Sequence, residues 1–130
     1  MIKIHELATA IKIIEGWHPV GHEKFPRGSL TYRFHNPGAL RWSPQQVGTQ
    51  AGFAVFIDDQ TGMNALIWDL TCKAQGKTRT KLTPESTLAE FAAVWAPASD
   101  NNDPAAYANK IEELTKFPKT MKLKELLTEN

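Results

Sequence analysis

The chain has 130 residues, 42% hydrophobic and 22% charged, which is enough for one domain with its own core and no disulfide or metal staple. Fifteen Lys and Arg against 14 Asp and Glu leave a net charge of +1, which excludes the strong basic field of a generic nucleic-acid or anionic-membrane binder. The lone Cys72 cannot form an internal bridge, no apolar run reaches the ~18 residues of a membrane span, and the N-terminal MIKIHELATA lacks the parts of a signal peptide.

In chain order, Ile4, Leu7, Ala8, Ile11 and Ile14 recur at spacings of three and four, so residues 3 to 15 are predicted to form an amphipathic helix. Gly16 stops it and Pro19 cannot continue it, which leaves Glu15 at its last position. From 16 to 50, Pro19, Gly21, Pro26, Gly28, Pro37 and Gly38 alternate with Trp17, Phe25, Tyr32, Phe34 and Trp42. That many aromatic side chains need packing partners, so the segment is expected to be irregular but ordered. Phe53 to Ile57 reads as a short strand or extended stretch, followed by Asp58 or Asp59 as a helix N-cap.

A helix is expected from about 60 to 74. Met63, Leu66, Ile67, Leu70 and Ala74 mark one apolar side and Ala65, Trp68 and Cys72 the other, the pattern of a buried central helix. Thr87 to Glu90 has the Thr-x-x-Glu form of a capping box and opens a helix carrying Leu88, Phe91, Val94 and Trp95, which Pro97 ends. Asp103-Pro104 supplies an N-cap and a first-position proline ahead of Ala106, Tyr107, Ile111 and Leu114. A short helix with Leu123, Leu126 and Leu127 closes the chain. The expected class is α+β, mostly α.

The residue with chemical promise is Glu15. A carboxylate at a helix C-terminus faces the negative end of the macrodipole, and the apolar neighbours Ile13, Ile14 and Trp17 add desolvation, so both effects oppose its charged form. A carboxyl group that keeps its proton is what glycoside cleavage requires, because the leaving sugar oxygen must be protonated as the bond breaks. Position alone also allows a frayed, solvated helix end.

The words around it carry more. Ile14-Glu15-Gly16-Trp17, Gly28-Ser29-Leu30-Thr31-Tyr32-Arg33, Asn36-Pro37-Gly38-Ala39-Leu40-Arg41, Gly52-Phe53-Ala54-Val55-Phe56, Gly62-Met63-Asn64-Ala65-Leu66 and Trp95-Ala96-Pro97 with Asp100-Asn101 and Tyr107 follow in order. Together they resemble the lysozyme-like lytic transglycosylase and glucosaminidase proteins of phages and prophages, over roughly residues 11 to 111. The resemblance implies a single lysozyme-like domain over 1–130 that acts on peptidoglycan glycan strands with no cofactor. Glu15 would be the general acid, and the Asn-Pro-Gly loop and the Phe-Ala-Val-Phe stretch would line the sugar cleft. Tyr32, Asn36, Arg41, Phe53, Phe56 and Tyr107 are the candidate substrate-binding residues. Each also has a plain structural reading: half-buried tyrosines, an asparagine folded onto its own turn, an arginine holding its loop together. The expected setting is a phage virion, or a host cytoplasm from which the chain is released to the wall. A noncatalytic wall-binding or virion structural protein on the same fold is the alternative, as is a lysozyme-type hydrolase.

The chain departs from the family pattern at three places. His35 and Ala39 stand where asparagines usually flank the Asn-Pro-Gly word, and Val20 to Arg27 lengthens the connection after Glu15. A zinc site at His18, His22, Glu23 and His35 is not expected, because Pro19 and Gly21 keep His18 and His22 off one helix face. There is no phosphate-binding Gly-x-x-x-x-Gly-Lys loop and no Gly-x-Ser-x-Gly elbow. Cys72, inside an apolar helix, reads as a small packing residue.

Overall fold

Helix ends organise the chain. In the computed structural model, which describes residues 2–130, α1 spans Lys3–Ile14, α2 Leu30–Arg33, α3 Asp59–Ala74, α4 Leu88–Trp95 and α5 Pro104–Thr115. Strands β1 (Gly48–Gln50) and β2 (Phe53–Val55) form an antiparallel hairpin with Thr49 opposite Ala54. Single 3-10 turns occupy Ala98–Asp100 and Leu123–Leu127. The class is therefore α+β, mostly α. Among the described residues no helix is long and apolar enough to cross a membrane.

The chain divides into two compact units, residues 1–10 with 69–130 and residues 11–68, and the divisions fall inside α1 and α3. In the first, α4 packs on α5, and Leu70, Leu82, Leu88, Phe91, Ile111, Leu123 and Leu126 are buried. The Thr87 hydroxyl accepts the Glu90 amide at 3.2 Å while the Glu90 carboxylate accepts the Thr87 amide at 2.9 Å, so the capping box opens α4 as the sequence predicts. Asp103 caps α5 through the Ala106 amide, and Pro104 takes its first turn. The chain termini meet here: the Lys3 amide donates to the Thr128 carbonyl at 3.0 Å, and the Lys3 ammonium reaches the Thr128 hydroxyl at 2.8 Å. Nearby, Glu85 accepts bonds from both Lys122 and Lys124 at 2.8 Å, which lowers its pKa from 4.5 to about 2.

In the second unit, Phe34, Leu40, Ala54, Phe56, Ala65 and Leu66 form the buried set. One expectation needs correction. Helix α3 is not enclosed all round, since Trp68 is 50% exposed; its buried residues include Ala65, Leu66, Leu70 and Ala74. The short helix expected around Leu123, Leu126 and Leu127 is a 3-10 helix, Leu123–Leu127.

Candidate functional site

Helix α1 ends in a Schellman motif. The Trp17 amide bonds back to the Lys12 carbonyl and the Gly16 amide to the Ile13 carbonyl, with Gly16 at φ 83. Glu15 is therefore the C-cap: its amide completes the last helical bond, to the Ile11 carbonyl at 2.8 Å, and its side chain is half-buried. Ile14 and Trp17 share that partial burial, whereas Ile13 points outward at 54% exposure.

The segment after Glu15 returns to the end of α1. The Ser29 amide donates to the His18 carbonyl and the His18 amide to the Ser29 hydroxyl, both at 2.9 Å, so residues 18 to 29 leave and rejoin at one pair. Inside that loop His18, His22 and Phe25 stack, and the Lys24 amide donates to Nδ1 of His22 at 3.1 Å. Ser29 also caps the short α2, whose Thr31 hydroxyl donates to the Gly16 carbonyl. Tyr32 meets Trp17 edge to face at 5.4 Å.

Helix α2 ends in the same motif with a histidine in the glycine position. His35 has φ 53, its amide bonds to the Tyr32 carbonyl, and the Asn36 amide bonds to the Thr31 carbonyl. Asn and His are the side chains that best tolerate this conformation, which gives a physical reason for the kind of residue found at 35. Ala39, the other departure, is also left-handed at φ 51, without a side chain suited to it.

Asn36 is 1% exposed, and its carboxamide closes the loop from within. Both amide hydrogens are used, on the Leu40 and Ala54 carbonyls at 2.9 Å, and its oxygen accepts the Leu40 amide. The Ala54 amide donates to the Leu40 carbonyl and the Phe56 amide to the Phe34 carbonyl, so β2 is fastened to the loop along its length. Asn36 is thus a clamp between loop and strand, and Phe56, 1% exposed, packs in the core. Phe53 is half-buried beneath Arg41, whose guanidinium carbon lies 4.5 Å from the ring centroid, so this arginine ties loop to hairpin.

The loop also sits tight against α3. A Cβ at Gly62 would overlap the His35 carbonyl, and one at Gly38 would lie 2.6 Å from Leu66 Cδ1. Asp58 caps α3, accepting the Thr61 amide at 2.8 Å; the Thr61 hydroxyl and amide hold its carboxyl below the usual carboxylate range. Asp59 instead binds Nδ1 of His35 at 2.5 Å. The two aspartates that the sequence left interchangeable as caps therefore have different partners.

Lys12, Trp17, Pro37, Asp59, Gln60 and Met63 line a pocket of about 210 Å³. The Lys12 ammonium lies 4.5 Å from the Trp17 ring centroid. The structure thus gathers Trp17, Tyr32 and Pro37 near the end of α1; Tyr107 lies on α5. Nothing in the sequence singles out Lys12 or Gln60, and Asp59 stands there only as a cap candidate. Lys12 sits one turn before Glu15, and nothing local announces the His35–Asp59 pair across 24 positions. Among the described residues no group of three His, Cys, Asp or Glu side chains is placed to hold a metal. No family model, curated protein or solved structure matches the chain.

Proposed function

We propose that the chain cleaves the β-1,4 bond between N-acetylmuramic acid and N-acetylglucosamine in peptidoglycan, on a lysozyme-like fold and with Glu15 as the general acid. The observation that carries this reading is the placement of Glu15: a half-buried carboxyl group at the C-cap of α1, between Lys12 and Trp17 in sequence, both of which line a pocket. Glu15 protonates the departing sugar oxygen. The acetamido group of the substrate steadies the oxocarbenium centre, the muramyl 6-hydroxyl attacks it, and Glu15 takes that hydroxyl's proton. A 1,6-anhydro end results and no water is consumed. Asp58 is occupied in capping α3, which favours this route over one with a carboxylate nucleophile.

Hydrolysis is the second reading, and Asp59 in the pocket lining is the observation that favours it. A carboxylate about 6.5–9.5 Å from the acid would hold the attacking water. The chain acts, on either reading, from a virion or after release from the host cytoplasm.

The test is clearing of isolated walls by wild-type and Glu15→Gln protein. Loss of a general acid lowers the rate by about 100- to 10,000-fold with the fold intact. A folded variant that clears walls as fast as wild type refutes the assignment, and a wild-type chain that sediments with walls without clearing them marks a binder. Mass spectrometry of the digest separates the two chemistries, since anhydro muropeptides lie about 18 Da, one water, below hydrolytic ones.

A further inference from the structure

The connection between α3 and α4 contains a small closed loop. A Cβ at Gly76 would lie 3.1 Å from Pro84 Cδ and 3.6 Å from Thr83 Cα, so the chain enters and leaves the loop at one point. Inside it the Thr78 and Thr80 hydroxyls lie 2.6 Å apart, the Thr80 amide donates to the Thr78 hydroxyl, and the Leu82 amide donates to that of Thr80. The two threonines are half-buried by these bonds, and Lys77, Arg79 and Lys81 alternate with them on the exposed side. Among the described residues none of the three cations forms an ion pair. The C-terminal 3-10 turn joins the stem of the loop: the Lys124 amide donates to the Pro84 carbonyl at 3.0 Å and the Leu123 amide to that of Ser86 at 2.8 Å. Lys122 and Lys124 are exposed there and share the carboxylate of Glu85.

Five cations therefore gather with two carboxylates, those of Glu85 and of Glu125, which accepts the Lys122 amide. The net charge of +1 over the whole chain hides this local excess. A cationic cluster on an exposed loop attracts phosphate, because each neutralised phosphate releases a condensed counterion, and the Arg79 guanidinium can take a phosphate through two parallel bonds. The composition of the face narrows the class further. Residues 76 to 85 and 121 to 125 contain no aromatic side chain on which a base could stack. None of the exposed large apolar side chains lies in those segments to enter a bilayer. We propose that this face binds a flexible, base-free phosphodiester polymer of the poly(glycerol phosphate) kind, through Lys77, Arg79 and Lys81 with Lys122 and Lys124 beside them. The proposal does not rest on the cleavage reading, since neither Glu15 nor any pocket residue belongs to the set.

The experiment follows a fluorescent glycerol phosphate oligomer binding to the full-length chain, by polarisation at salt concentrations of about 0.05–0.2 M. The expected result is saturable binding with a logarithmic salt slope of about −2, from roughly three net charges at ~0.7 each. Combining Lys77→Gln, Arg79→Gln and Lys81→Gln should weaken it about tenfold and bring the slope close to zero. Glu85→Gln releases two lysines and should tighten it roughly two- to fivefold. Lys110→Gln removes a cation already paired with Glu113 and should matter less than the same loss of charge in Arg79→Gln. Oligothymidylate and polyglutamate of equal charge should bind no more tightly, and phosphatidylglycerol vesicles less. Absence of saturable binding, a folded triple variant that binds like wild type, or binding indifferent to Glu85→Gln each overturns the proposal. If the triple variant does not fold, Arg79→Gln and Glu85→Gln decide the matter. Tighter binding of oligothymidylate, polyglutamate or the vesicles marks a different partner and also overturns it.

Discussion

Gly62→Ala tests the close approach of α3 to the Asn-Pro-Gly loop. Gly62 has no left-handed φ, so glycine is there for space. In an open helix the change to alanine stabilises by ~0.8–1.0 kcal/mol. Here the new Cβ would lie 2.9 Å from the His35 carbonyl carbon and 3.1 Å from Pro37 Cδ, besides overlapping the carbonyl oxygen. Carbon atoms rest at about 3.5–4.0 Å, so these two contacts alone require loop or helix to yield by roughly 0.5–1 Å, and the overlapped oxygen requires more. The neighbour is backbone, and that backbone is held by the buried Asn36 clamp. Overpacking of this kind costs about 1–3 kcal/mol and more against rigid surroundings, so the expected net loss is about 2–3 kcal/mol, opposite in sign to the propensity. Urea unfolding followed by tryptophan fluorescence measures it; with a slope of about 1–3 kcal/mol per molar, the midpoint should fall by roughly 0.7–3 M. Gly48→Ala, where no atom lies within 4 Å of the added carbon, should stay within about 0.5 kcal/mol of wild type. A Gly62→Ala midpoint equal to or above wild type would refute the packing argument.

Ala51 and Gly52 both have positive φ, 51 and 81, in the β1–β2 turn, the geometry that favours Asn-Gly. Ala51→Asn should therefore stabilise by about 1 kcal/mol and raise Tm by roughly 3–6 °C in calorimetry, and an unchanged or lower Tm contradicts the turn assignment. Glu85, lowered to about 2 by the bonds from Lys122 and Lys124, binds its proton less readily folded than unfolded. Its contribution to stability is present above its ordinary value of 4.5 and lost as pH falls from there to about 2. Glu85→Gln should flatten that limb of an acid-unfolding curve, and an unaltered slope would show the lysine pair to be without effect.

Where neighbours along the chain settle the geometry, the sequence sufficed. Gly16, two residues past the last apolar position, marks the end of α1, Thr87 and Glu90 lie within one capping box, and Asp103-Pro104 starts α5 as that dipeptide requires. Features that depend on partners far along the chain were not legible. The apolar FAVFI stretch announces a strand or extended segment, but its partner strand Gly48–Gln50 is polar, exposed and joined through an Ala-Gly turn that lacks the usual asparagine signal. The four-residue α2 is too short for periodicity to register, although Ser29 is a typical cap. Asn36 was weighed as a turn residue, and the structure extends that role, since one of its amide bonds crosses 18 positions to Ala54. Trp68 shared a helical side with Ala65 and Cys72 by spacing, yet amphipathic pattern does not tell a half-covered face from an enclosed one.

The reciprocal bonds between His18 and Ser29 give the lengthened connection after Glu15 a modular character. Because the chain leaves and re-enters at one residue pair, the path from Glu15 to α2 runs through that clasp, and the intervening residues hang from it as an appendix. Their number can change with little effect on the geometry on either side, as each doubling of a flexible loop costs only ~0.6 kcal/mol in closure entropy. The exposed tip, Glu23 to Arg27, is therefore a natural port for an inserted peptide, a tag or a graft from a chain with a shorter connection.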